Sequence, residues 1–137
     1  MALPATPAVA VDAIVEGEEG IVLVKRGGEP FSGMWALPGG FVRVGESVEE
    51  AVEREGYEET GLKFRLKRLH GIYSQPGRDP RGHVISLCFV GEGAGRPRGG
   101  DDARAARFFP VHELMGLDLA FDHKRILRDY LEAGDVL

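Results

Sequence analysis

Between Ser47 and Gly61 the chain encodes a helix with both ends marked. Ser47 and Glu50 form a capping box, each side chain accepting the other residue's backbone N–H. Gly61 supplies a left-handed stop after Thr60. At about 100° per residue, Val48, Ala51, Val52, Glu55 and Glu59 fall on one side. Two turns of core-facing surface therefore run into carboxylates on the same side, with Glu58 beside both. A fold for this chain must bury the first half of that stripe and give the second half something that offsets its charge.

The formal charge of the 137 residues is −5, unevenly placed. From Glu46 to Glu59 seven acids stand against one base, Arg54, a net of −6 that leaves +1 for the remainder. Like charges at helical spacing repel by a few tenths of a kcal/mol, and carboxylates near a helix C-terminus oppose its dipole. A divalent cation offsets both, since Mg²⁺ takes one or two carboxylates together with waters and substrate phosphate oxygens. Arg54 is also placed for an i,i+4 pair with Glu58. Glu49, Glu50 and Glu53 read as solvated surface. For Glu55, Glu58 and Glu59 the alternative is the same solvated surface, and their shared side with the apolar residues favours a metal site.

The surrounding residues carry a longer pattern. From Gly40 the chain runs five residues to Glu46 and seven more to Arg54-Glu55-Gly56-Tyr57-Glu58-Glu59-Thr60-Gly61-Leu62. This resembles the Nudix box, Gly-x5-Glu-x7-Arg-Glu-U-x-Glu-Glu-x-Gly-U, where U is bulky and apolar; eight of its nine defined positions match over 23 residues. Trp35-Ala36-Leu37-Pro38-Gly39-Gly40 resembles the usual lead-in. The resemblance implies an α/β fold, the Nudix-type α/β/α sandwich with a central mixed β-sheet, over residues 1–137 as one domain. It implies that Glu55, Glu58 and Glu59 bind Mg²⁺ or Mn²⁺, with the backbone of Gly40 exposed to metal and substrate. Arg54 orients the carboxylates, and Glu46 and Gly61 have structural roles. The departure is Gly56, where a bulky residue is expected. A mid-helix glycine costs roughly 1 kcal/mol relative to alanine, and its missing side chain leaves space to be filled from elsewhere.

The coarse organisation agrees with such a sandwich. Ala8 to Val15 and Ile21 to Arg26 read as a strand hairpin turning at Gly17 to Gly20. Met34 to Leu37 is a short extended piece, after which Gly39-Gly40 frees the backbone for a sharp turn. Phe64 to Tyr73 and His83 to Val90 read as strands joined by the loop Ser74 to Gly82. Gly91 to Gly100, with five glycines and Pro97, reads as a flexible turn. Arg104 to Pro110 reads as a last strand and Phe121 to Leu131 as a closing helix.

From Lys63 to Arg107 ten bases face four acids, a net of +6. A basic segment beside an acidic helix suits a phosphate-bearing substrate held through metals and arginines. Tyr73 to His83, with Phe121-Asp122-His123, resembles the ADP-ribose pyrophosphatase branch of the superfamily. That resemblance implies hydrolysis of ADP-ribose to AMP and ribose 5-phosphate, with Arg78 and Arg81 as substrate contacts. A turn closed by Asp79 is the alternative for both arginines. Phe31, Trp35 and Phe121 are candidates for stacking on adenine, with core packing as their other role. Glu58 within the helix and Asp102 beyond it are candidates for the general base, and Asp102 reads equally as a turn residue. Glu58→Gln is expected to abolish turnover in a folded protein. His123 is expected to bond backbone rather than metal.

Other classes fall away. No apolar run approaches the ~20 residues that span a bilayer, and Met1 to Ala10 lacks the positive charge of a secretory signal. One cysteine, Cys88, forms no internal disulfide and reads as a buried, inert thiol, which suits a reducing cytoplasm. The acidic pI, about 5.4, argues against a nucleic-acid partner. Two rival functions remain: hydrolysis of nucleoside triphosphates or dinucleoside polyphosphates, and a non-catalytic ADP-ribose-sensing module. Sensing modules of transcription regulators are expected to carry a DNA-binding extension, for which 137 residues leave little space. The resemblance also implies a homodimer.

Overall fold

A computed structural model describes residues 2–100 and 103–134. Strand β1 (Ala8–Gly17) turns at Gly17–Gly20 into β2 (Gly20–Arg26), the hairpin expected from sequence, and the two then part. Along its other edge β1 pairs in parallel with β6 (Val84–Glu92), which pairs antiparallel with β5 (Arg65–Tyr73). Near its start β1 also pairs with the short β4 (Gly39–Phe41). β2 lies between β3 (Trp35–Ala36) and β7 (Ala103–Phe109). The parallel β1–β6 pair makes the sheet mixed, as expected. Helix α1 (Val48–Thr60) covers one face and α2 (His123–Glu132) the other, with a 3₁₀ turn at Val111–Gly116.

Strand alternation divides the core in two. Val11, Ala13, Val15, Val22 and Val24 pack with Ala51 and Val52 on the α1 side. Ile14, Ile21 and Leu23 pack with Ile126, Leu127 and Tyr130 on the α2 side. At about 1.5–3 kcal/mol for each large apolar side chain buried, this pattern fixes the register. A one-residue slip of β1 would turn Val11 and Val15 to the wrong face and drive Asp12 into the α1 core.

Three expectations need correction. Gly39 and Gly40 do not turn sharply; they form β4 along β1. Their missing side chains permit close approach, since a Cβ on Gly39 would stand 2.3 Å from the Val11 carbonyl oxygen. Gly91–Gly100 is not a flexible turn throughout. β6 continues to Glu92, and the glycine-rich stretch crosses the end of α1, held by Gly93 N–H to Glu16 O (3.0 Å) and Arg98 N–H to Thr60 O (2.8 Å). The last helix starts at His123 because Phe121 has a positive φ of 54°, outside the helical region.

The box helix has the predicted ends: both capping-box bonds are made, and Gly61 is left-handed at φ 73°. The space left by Gly56 is filled by Phe64, whose Cβ would lie 3.1 Å from a Cβ at position 56. Gly56→Leu therefore overpacks a full site and is expected to destabilise the protein by about 1–3 kcal/mol. Urea unfolding should show this loss, with partial recovery in the Gly56→Leu/Phe64→Ala double variant. An unchanged midpoint in the single variant would refute the packing account.

Candidate active site

Where α1 meets β4, Arg54 organises the acids. Its guanidinium donates to Glu46 through Nε (2.6 Å) and Nη2 (3.0 Å), to Glu55 (2.6 Å) and Glu58 (3.2 Å) through Nη1, and to the Phe41 carbonyl (3.1 Å). One planar cation thus ties the loop before the helix to two turns of it, which a lysine ammonium does not match. Glu46 also accepts the Arg43 N–H, and the bond from Arg54 holds its carboxyl down to about 2. Glu55 behaves oppositely. Burial raises its carboxyl above the ordinary value, Arg54 pulls it down and the Glu58 charge pushes it up. Glu49, Glu50 and Glu53 are exposed.

Glu55 and Glu59 line a cavity of about 480 Å³. Glu59 accepts the Gly39 N–H at 2.8 Å. Gly40 lies so close to Glu55 that a Cβ there would stand 2.5–2.6 Å from the carboxylate atoms. Glu58 is turned toward Arg54 and Arg43 and is not among the lining residues. Among the described residues no three metal-ligating side chains converge on one point. Two half-buried carboxylates beside a side-chain-free strip of backbone nevertheless fit a hard divalent cation. Such an ion takes oxygen donors from a few protein groups and completes its shell with water and phosphate.

Arginines and aromatic rings also line the cavity. Arg81 is held by Asp79 at 2.8 and 3.1 Å and lies over the rings of Phe41 (5.0 Å) and Phe121 (5.5 Å). Arg26 lies over the Phe121 ring at 4.9 Å, and Phe31 meets that ring edge-on at 4.8 Å. Phe31 and Phe121 are the non-glycine residues with positive φ among those described, 61° and 54°. Bulky residues adopt that region only under constraint from their surroundings. Arg78, 5% exposed, makes a two-pronged pair with Asp122 at 2.7 and 2.9 Å, joining the β5–β6 loop to the start of α2.

Arg78 and Arg81 therefore line the cavity, while Trp35 does not. Trp35 packs edge-on against Phe109 at 4.9 Å with Arg107 over its ring. Asp102 lies outside the described residues. Asp12, Arg26 and Phe41 went unnoticed as site residues from sequence, and Asp122 enters only within the segment Phe121-Asp122-His123, without a role. Asp12 had a signal, a lone acid in an apolar strand, whereas Asp122 and Arg78 are 44 residues apart with nothing local to link them.

His123 bonds backbone, as expected: its Nδ1 accepts the Leu37 N–H at 2.9 Å. Burial lowers its pKa, while Asp12 and Asp122 pull it up and Arg78 and Arg26 push it down. The unfolded chain takes up this proton near the ordinary value of 6.5 and the native state does so only at lower pH. Stability is therefore lost as pH falls below about 6.5. Thermal unfolding across that range should show a smaller decline for His123→Asn than for wild type; equal declines would contradict a buried neutral imidazole.

The NUDIX domain family matches residues 6–130. An ADP-ribose pyrophosphatase of Methanocaldococcus jannaschii is 55% identical over 126 residues, covering 91% of this chain and 73% of that relative. The NUDIX domain of Shewanella oneidensis NrtR, solved in complex with ADP ribose, superposes with a TM-score of 0.85 at 25% identity, covering 94% of this chain and 89% of that one. A bifunctional NMN adenylyltransferase/ADP ribose pyrophosphatase of Francisella tularensis, solved with AMP and a Mn ion, gives 0.82 at 27% identity. That match covers 96% of this chain and 43% of the larger protein. No helix among the described residues is long and apolar enough to cross a membrane. In box residues, sheet topology and the match over nearly its whole length, the chain belongs to the NUDIX domain family.

Proposed function

We propose that this chain is a metal-dependent pyrophosphohydrolase cleaving ADP-ribose to AMP and ribose 5-phosphate. The observation that carries the reading is one cavity whose lining combines Glu55 and Glu59 with Arg26, Arg81 and Phe121. Such a cavity accommodates a charged diphosphate next to a flat base. The 55% identity to an ADP-ribose pyrophosphatase supports the substrate. The Mn ion in the Francisella tularensis structure supports the cofactor class, Mg²⁺ or Mn²⁺.

A bound divalent cation supplies charge neutralisation for the diphosphate and a more acidic water. The chain's own residues supply position. Arg54 holds Glu55 and Glu58 at fixed spacing, and the Gly39 N–H holds Glu59. Arg81, braced by Asp79, presents a planar cation to phosphate oxygens, and Arg78 fixes the loop that carries it. Glu58 and Asp102 are the two acids assigned to receive the water proton. Comparing Glu58→Gln with Asp102→Asn decides between them, the base being the one whose loss stops turnover while the protein stays folded and binds ADP-ribose.

A buried thiol at Cys88 is consistent with the cytoplasm as the site of action. The homodimer implied by the resemblance belongs to the same reading, and sedimentation at micromolar concentration measures it. The NrtR domain solved with ADP ribose supports binding of that molecule; one rival reading is a module that binds ADP-ribose without cleaving it. A panel with Mg²⁺ separates the readings. ADP-ribose is expected to turn over faster than nucleoside triphosphates and dinucleoside polyphosphates. Brisk triphosphate cleavage with inertness toward ADP-ribose would overturn the substrate, and calorimetric binding without product would favour the sensor.

A further inference from the structure

One wall of the cavity contains a buried polar chain that the mechanism above does not use. Asp12 on β1, Ser86 on β6 and His123 on α2 are 7%, 0% and 4% exposed. The Ser86 hydroxyl donates to Asp12 Oδ2 at 2.5 Å, and Asp12 Oδ1 stands 3.5 Å from His123 Nε2. Because Leu37 donates its N–H to Nδ1, that nitrogen is unprotonated and Nε2, the ring atom nearest Asp12, carries the hydrogen. Two residues further on, the Gly39 N–H holds Glu59, and between them the Pro38 carbonyl accepts the Ala13 N–H at 2.8 Å. Asp12 also touches the strip directly, since a Cβ on Gly39 would lie 2.5 Å from Oδ1.

A buried carboxylate is costly unless its surroundings compensate it. Here the compensation comes from two elements, and both lead back to three residues of backbone beside Glu59. We propose that Asp12 and His123 are positioning residues: they fix the Leu37–Gly39 strip and, through the Gly39 N–H, set the Glu59 carboxylate for the cation. This rests on the assignment of Glu59 as a metal ligand.

The test is titration of the full chain with Mn²⁺ alone, followed by electron paramagnetic resonance, with thermal unfolding alongside. Glu59→Gln should weaken Mn²⁺ binding; if it does not, the ligand assignment fails and takes the proposal with it. His123→Leu removes the acceptor for Leu37 and should weaken Mn²⁺ binding about tenfold, the scale of an outer-shell loss. His123→Asn, whose amide oxygen can accept the Leu37 N–H near the Nδ1 position, should restore most of the affinity. Wild-type Mn²⁺ affinity in folded His123→Leu, with Glu59→Gln impaired, would overturn the positioning role and leave the ligand assignment standing. If His123→Leu does not fold, Asp12→Asn serves in its place. A loss of about tenfold is then expected, and unchanged affinity would again overturn the proposal.

Discussion

Glu59→Gln is expected to lower kcat for ADP-ribose by about 10²–10³-fold, the scale of removing one group that stabilises developing charge. That corresponds to about 3–4 kcal/mol of barrier. Glutamine keeps the size of the side chain, and its amide oxygen still accepts the Gly39 N–H, so the local bond seen at 2.8 Å survives. What is lost is the negative charge offered to the cation. Steady-state kinetics at saturating Mg²⁺, with circular dichroism as the control for folding, measures the effect. Activity close to wild type would show that Glu59 is not a ligand.

Gly40→Ala should separate activity from stability. The atoms nearest to the added Cβ are the far end of the Glu55 side chain, at 2.5–2.6 Å. That carboxylate can swing aside at little cost to the fold, but it then leaves both Arg54 and the cavity. Turnover is expected to fall by about 10–100-fold, the range seen when a metal ligand's support is disturbed, with the melting temperature nearly unchanged. Gly39→Ala is the contrast. Its Cβ would meet the Val11 backbone oxygen at 2.3 Å, which cannot move without β1. Overpacking of this kind costs about 1–3 kcal/mol or more, so Gly39→Ala should lower stability as well as activity. Equal melting temperatures for the two variants would contradict the distinction.

The local features of the site could be read from sequence because their causes lie within a few residues of one another. The capping box, the Gly61 stop and the Arg54–Glu58 pair all follow from helical spacing, and each is present. The order of strands, one mid-chain helix and a closing helix likewise agreed with a mixed sheet between two helices. Interactions across long separations had no such signal. The resemblance set the segments of Arg78 and Asp122 side by side, but no local spacing announces their ion pair, and nothing near Asp12 announces His123. Gly39-Gly40 shows a different limit. Two adjacent glycines signal either a turn or a close approach, and only the position of Glu55 and β1 decides for the second. Trp35 shows a third. A lone tryptophan before the box suggests stacking on a base, yet its ring faces Phe109 and Arg107. The rings beside the cavity are instead Phe41 and Phe121, the latter also a candidate from sequence and held in a backbone conformation that composition does not foretell.

The role proposed for Glu55 and Glu59 is cleavage of the diphosphate that joins adenosine to ribose. Product analysis with ADP-ribose and Mg²⁺ in ¹⁸O-labelled water tests it most directly. The expected result is AMP and ribose 5-phosphate in equal amounts, with the label on the phosphate of only one of them, and almost no product from Glu55→Gln or Glu59→Gln. Intact ADP-ribose after prolonged incubation of folded, Mg²⁺-loaded protein would contradict it, as would products cut anywhere other than at the diphosphate.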